Sequence, residues 1–128
     1  MTVPAVSLTS PLELGGLTLK NRFVLASLNR DRSPDTVPNE LNAEYYRQRT
    51  TAGFLLSEAV MIKPVGSGWT NVAHRWMVGI ILRGKVTDAV HAEGSFIFAQ
   101  LWHPGRCSHP ALQAGQPAVA PSAIAANG

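Results

Sequence analysis

Phe96-Ile97-Phe98-Ala99-Gln100-Leu101-Trp102-His103-Pro104-Gly105-Arg106 is an apolar run whose far end turns polar and aromatic. Two earlier runs, Phe23-Val24-Leu25-Ala26-Ser27-Leu28 and Phe54-Leu55-Leu56-Ser57-Glu58-Ala59, have the same form, short and apolar with small or polar residues at the end. Runs of this length read as buried strands when turn signals bound them. Their starts lie 31 and 42 positions apart, and a strand, crossover helix and parallel strand together need roughly 30 residues or more. The intervening sequence supplies the helices. Asn39 caps one that runs through Glu40, Leu41, Ala43, Glu44, Tyr45, Tyr46, Arg47 and Arg49, with acid in the first turn, base in the last and Gly53 as the stop. A second covers about Leu82 to Ala92, where Leu82, Val86, Ala89 and Val90 fall at helical spacing and Gly94 ends it.

The expected fold class is α/β, with a parallel sheet covered by helices, either doubly wound or a (β/α)8 barrel. Ligands bind at the carboxyl ends of the strands in both, so the three polar endings converge on one candidate site. No G-x-G-x-x-G or P-loop pattern follows the first strand, which argues against a dinucleotide or P-loop fold. Ahead of it, Pro11 to Asn21 alternates around Gly15-Gly16, a hairpin signature. The polar loop Asn29 to Pro38 is placed over the carboxyl end of the first strand. The expected organisation is a hairpin over about 11–21, β/α units over about 23–103 and a loop-rich tail over 104–128. Three strands do not close a barrel, which takes about 250 residues when complete. As a barrel, the sequence would therefore read as unfinished.

Composition narrows the function classes. The 128 residues are 45% hydrophobic and 15% charged, a globular balance. A net charge of +3 comes from eleven Lys and Arg scattered along the chain, so nucleic acid is not an expected partner. No run approaches the roughly 20 apolar residues of a membrane span, and the first residues lack the pattern of a signal peptide. The expected location is cytoplasmic. The single cysteine, Cys107, permits no internal disulfide. His103, Cys107 and His109 are ligand types, yet their spacing is not that of a zinc motif and a fourth ligand is missing, so no metal is expected.

The motifs Leu19-Lys20-Asn21-Arg22, Ala26-Ser27-Leu28-Asn29-Arg30, Glu44-Tyr45-Tyr46-Arg47-Gln48-Arg49, Ser57-Glu58-Ala59, Gln100 to Arg106 and Pro117 to Ile124 occur in order from about Pro11 to the end. In this series the chain resembles the N-terminal part of the old yellow enzyme family, FMN-dependent ene-reductases built on a (β/α)8 barrel, and most of all its fungal members. The resemblance implies that Ala26, Ser27, Leu28 and Asn29 hold the flavin after the first strand. It further implies that Ala59 lets the ring approach the second strand, and that Gln100 bonds the pyrimidine edge. Trp102 is matched to a substrate-pocket aromatic. A carboxamide such as Gln100 suits such an edge on its own chemistry, since it offers a donor and an acceptor together. The implied cofactors are FMN and NADPH or NADH as reductant, and the implied partner is a small enone.

Two departures stand out. Asn29 occupies a place where the family usually has threonine, so its acceptor oxygen needs a partner of its own before the amide can donate to a ligand. Trp69 to Gly84 is apolar and lacks acids where the family has a polar loop and an acidic helix; left uncovered, such a stretch is an aggregation risk. The resemblance also implies that the proton donor and the pair that binds the substrate carbonyl come from later strands, so no catalytic residue is assigned here. Each site residue has a plainer role open to it: Gln100 as a backbone cap, Trp102 as core, Ser57 and Glu58 as loop-orienting groups, and Arg22 and Arg30 as ion-pair partners of the acidic loop. Two functions from different classes follow. One is an FMN oxidoreductase that reduces the C=C bond of α,β-unsaturated carbonyl compounds in the complete protein. The other is a catalytically incomplete fragment, at most a flavin-binding or association module that self-associates through the incomplete barrel.

Overall fold

The computed structural model describes residues 6–62 and 84–126. Strands β1 (Leu12–Leu14) and β2 (Leu17–Leu19) form the expected antiparallel hairpin, pairing Leu12 with Leu19 and Leu14 with Leu17. Gly15 and Gly16 both have positive φ, at 56° and 84°, which is what a two-residue primed turn demands and what glycine supplies without strain.

The main sheet is parallel and three-stranded, in the order β3 (Val24–Leu25), β4 (Phe54–Met61), β5 (Ile97–Trp102). Helices α1 (Glu40–Arg47) and α2 (Lys85–His91) fill the two crossovers and pack against each other. β4 lies in the middle and is the most buried strand. The core joins all three layers of contact: Tyr46 from α1, Leu55 from β4 and Val90 from α2, ringed by Leu25, Tyr45, Val86 and Ile97. Both helices thus cover one face of the sheet. On the other face Phe54 and Phe98 meet edge to face, centroids 5.5 Å apart, and Phe98 and Val24 stay exposed.

Three boundaries differ from the sequence expectation. The first strand is two residues long and not six, because the chain leaves the ladder after Leu25 and Ser27 and Asn29 spend their polar groups on the neighbouring strands. Helix α1 ends at Arg47 and passes through turns before β4. Gly53 is therefore not its stop. Its N–H donates to the Phe23 carbonyl at 2.9 Å, and a Cβ there would sit 2.2 Å from the Asn21 carbonyl oxygen; glycine is needed for close approach of two backbones. Helix α2 begins at Lys85, and the expected start at Leu82 lies outside the described residues, as does the apolar stretch from Trp69 to Arg83.

The start of α1 matches its expectation. Asn39 Oδ1 accepts from Leu41 N at 2.9 Å, while Asn42 Oδ1 accepts from Asn39 N at 2.8 Å, a reciprocal cap that satisfies orphaned N–H groups at both ends of the turn. Beyond β5 the tail carries two short 3-10 turns, Gly105–Cys107 and Pro110–Leu112. The His103 and His109 imidazoles accept from Gly105 N at 3.0 Å and Ala111 N at 3.2 Å, so both histidines brace these turns. Among the described residues, no helix is long and apolar enough to cross a membrane.

Candidate functional site

Parallel pairing puts the carboxyl ends of β3, β4 and β5 on one edge of the sheet. There Ala59 pairs with Gln100 and Met61 with Trp102. The Ser27 hydroxyl, just past β3, donates to Gln100 Oε1 across β4. Asn29 Oδ1 accepts from Ala59 N at 2.9 Å. Ser27, Asn29, Ala59 and Gln100 therefore form one constellation, assembled from positions up to 73 residues apart. Trp102 closes it further along β5 and is half-buried. Ala26 and Leu28 are exposed residues of the same loop, next to the bonded side chains but joined to them only through the backbone.

These bonds fix what the site offers. A side-chain amide has its acceptor and its donors on opposite corners. With Asn29 Oδ1 turned to Ala59 and Gln100 Oε1 turned to Ser27, both carboxamides keep their NH2 groups out of the hydrogen bonds that build the floor. Asn29 and Gln100 are exposed, whereas Ala59 beside them is only 4% exposed. The result is a neutral floor with a small residue in the middle and two uncommitted donors.

A buried layer lies behind it. β4 advances three residues, Leu56 to Ala59, while β5 advances two, Phe98 to Gln100. The extra residue makes a bulge at Ser57-Glu58, a feature that re-aims side chains and is common beside binding sites. Glu58, 3% exposed, pairs with Arg30 and also accepts from Asn42 Nδ2 at 3.1 Å. The Arg30 guanidinium lies over Tyr45, 3.7 Å from its centroid, and beside Tyr46 at 4.7 Å. Arg49 covers the Tyr45 ring at 3.6 Å. Tyr46 Oη accepts from Glu58 N at 2.7 Å. Burial pushes the Tyr46 phenol up to about 12, against the pull of the Glu58 N–H bond and the Arg30 charge, so it is a neutral phenol throughout the physiological range.

Sequence reasoning placed Ser57, Glu58 and Arg30 only as loop-orienting or ion-pairing groups. Arg30 does form an ion pair, with Glu58 of β4 and not with the polar loop, and Arg22 donates to the Pro11 carbonyl at 3.5 Å. Tyr46 stood in the sequence only as a helix and motif residue and Asn42 not at all, and neither carried a role beside the strand ends. Their only signal was a buried-helix position facing a strand with an acid in it. Elsewhere, Arg106 donates to Ser122 Oγ at 2.8 Å and bounds an open concavity of about 520 Å³ with residues 118–126; no strand-end residue lines it.

The NADH:flavin oxidoreductase / NADH oxidase family model matches residues 7–128. The chain belongs to this family. Within this old yellow enzyme family it is similar to 12-oxophytodienoate reductase 7 of Oryza sativa subsp. japonica, 41% identical over 83% of this chain and 27% of the rice protein. It is 39% identical to flavin oxidoreductase hxnT of Emericella nidulans, over 98% of this chain and 34% of that protein. Among solved structures, morphinone reductase superposes with a TM-score of 0.88 at 44% identity, over 94% of this chain and 33% of that one. The old yellow enzyme homologue from Zymomonas mobilis gives 0.86 at 44% identity, over 95% and 35%. A morphinone reductase structure in complex with tetrahydroNAD gives 0.87 at 44% identity, over 94% and 34%. The chain thus spans about a third of the length of these old yellow enzyme relatives, and its fold is the N-terminal part of their (β/α)8 barrel.

Proposed function

We propose that the floor made by Ser27, Asn29, Ala59 and Gln100 holds the ring edge of FMN, with Ala26 and Leu28 contributing backbone and Trp102 bordering the substrate space. The observation that carries this reading is the orientation of the two carboxamides. A flavin's pyrimidine edge carries carbonyl acceptors, and the uncommitted NH2 groups of Asn29 and Gln100 suit them. The buried Ala59 between them leaves room for a flat ring, so the residues present fit the group. In place of the family's threonine hydroxyl, Asn29 divides the work between two atoms: Oδ1 holds Ala59 N–H and Nδ2 is free to donate.

In the whole protein, the proposed reaction is NADPH- or NADH-dependent reduction of the C=C bond of an α,β-unsaturated carbonyl compound. FMN, when bound, supplies the hydride relay between coenzyme and substrate. This chain's residues bind and orient the ring edge, withdraw electron density through their donors, and shape the space above it with Trp102. No described residue is assigned the role of proton donor. The proposed substrate is a small molecule and the proposed location the cytoplasm, whose reducing conditions suit the one exposed thiol at Cys107.

The test is a titration of FMN with the purified 128-residue chain, followed by flavin fluorescence, then addition of NADPH or NADH and 2-cyclohexenone under anaerobic conditions. Saturable quenching at one equivalent, bleaching by the coenzyme and recovery of the yellow band on adding the enone support the reading. A flavin that never quenches refutes the site. One that binds but is restored by oxygen and never by the enone refutes turnover by this chain alone.

A further inference from the structure

The bulge in β4 strips ladder partners from the backbone groups next to the candidate floor, and unpaired buried backbone groups are costly. Each finds a side chain. Glu58 N–H goes to Tyr46 Oη at 2.7 Å, Ala59 N–H to Asn29 Oδ1 at 2.9 Å, and Gln100 N–H to Ser57 Oγ at 3.1 Å, while the Glu58 carbonyl takes the Ser57 hydroxyl at 2.7 Å. Glu58 immediately precedes Ala59, and Arg30 immediately follows Asn29. The Arg30–Glu58 pair is therefore one residue removed from the Asn29–Ala59 bond, and the two links together tie the loop after β3 to β4.

A buried ion pair is a weak source of stability compared with apolar residues of the same size, and its best-attested use is to fix one register. Register is what this place needs. Side chains alternate faces along a strand, so a slip of one residue at Ser57-Glu58 would turn Ala59 away from the floor and leave Gln100 opposite the wrong neighbour. The guanidinium that holds Glu58 is itself held over Tyr45 and beside Tyr46, so helix α1 sets where the bulge can sit.

We propose that Glu58, Arg30 and Ser57 are positioning residues that lock the β4 bulge so that Ala59 and Gln100 meet the flavin in a single register. The inference rests on the FMN reading of the strand ends. Glu58 touches no ligand; it acts through the backbone of Ala59, and Ser57 acts through the N–H of Gln100.

The experiment compares the unsubstituted chain with Glu58→Gln and Ser57→Ala, and with Val90→Ala as a variant that weakens the core away from the bulge. FMN affinity by fluorescence, the visible band of the bound flavin, and amide exchange at Ala59 are read in each. Misplacement on the ångström scale at a binding site lowers its performance steeply, so both bulge variants are expected to lose about tenfold or more in FMN affinity. The same variants shift the bound flavin's band and speed exchange at Ala59. Val90→Ala lowers the melting temperature and leaves the band in place. Should Glu58→Gln not fold, Ser57→Ala carries the same comparison. Bulge variants that bind FMN as the unsubstituted chain does, with the same band, overturn this inference alone. An unsubstituted chain that binds no FMN overturns the site reading, and this inference with it.

Discussion

Tyr46→Phe removes one oxygen atom from a side chain that is 3% exposed and leaves its volume nearly unchanged. What is lost is the acceptor for Glu58 N–H, 2.7 Å away inside the bulge. An orphaned buried donor costs about 1–3 kcal/mol, and no cavity term adds to it because the ring stays. For a chain of this size each kcal/mol moves the melting temperature by roughly 3–5 °C, so a fall of about 3–15 °C is expected at neutral pH. The same residue sets an alkaline limit. Its folded pKa of about 12 lies above the ordinary 10.0, so its contribution is whole below pH 10 and is lost as pH rises from 10 towards 12. Full loss corresponds to roughly 3 kcal/mol. Urea unfolding monitored by circular dichroism at pH 7, 9, 10 and 11 measures both effects. The unsubstituted chain should weaken steeply above pH 10, and the Phe variant, weaker at pH 7, should be flatter there. A Phe variant as stable as the parent at pH 7, or one with the same alkaline fall, would rule out the Tyr46–Glu58 bond as the source of either effect.

Other substitutions probe separate links. Gly53→Ala forces a Cβ to within 2.2 Å of the Asn21 carbonyl oxygen, and overpacking of this kind costs about 1–3 kcal/mol, seen as a lower urea midpoint. Asn39→Ala removes the acceptor for Leu41 N and is expected to cost about 1 kcal/mol by the same assay. Asn29→Asp keeps an oxygen for Ala59 N–H but turns the uncommitted NH2 into an anionic acceptor. It should leave the melting temperature nearly unchanged and weaken FMN by about tenfold or more, equivalent to about 1.4 kcal/mol, in a fluorescence titration; unchanged affinity would contradict the proposed orientation.

Local signals were readable from the chain alone. Gly15-Gly16 announced the hairpin, Asn39 announced the helix, and three apolar runs with polar endings announced parallel strands with a site at their carboxyl ends. Each of these depends on neighbours close in sequence. Gly53 was misread because a glycine after a helix has two uses, a left-handed stop and a close approach, and only the position of the Asn21 carbonyl decides between them. The two-residue length of β3 was hidden for a related reason: Ser27 and Asn29 leave the ladder for partners 73 and 30 residues away. The bulge had no signature either, since β4 is buried on both faces and shows no alternation for an extra residue to break. Arg30 and Glu58 were visible as charges near strand ends, but their pairing, and the tyrosines that hold them, exist only once α1 lies on the sheet.

In the proposed site the side-chain amides of Asn29 and Gln100 grip a flavin edge. Nuclear magnetic resonance of the isotope-labelled chain observes those NH2 groups directly as FMN is added. The side-chain amide signals of Asn29 and Gln100 should shift together and saturate at one equivalent of FMN, while those of Asn21 and Gln48, away from the floor, should not move. Amide signals of Asn29 and Gln100 that stay fixed while FMN binds would contradict it.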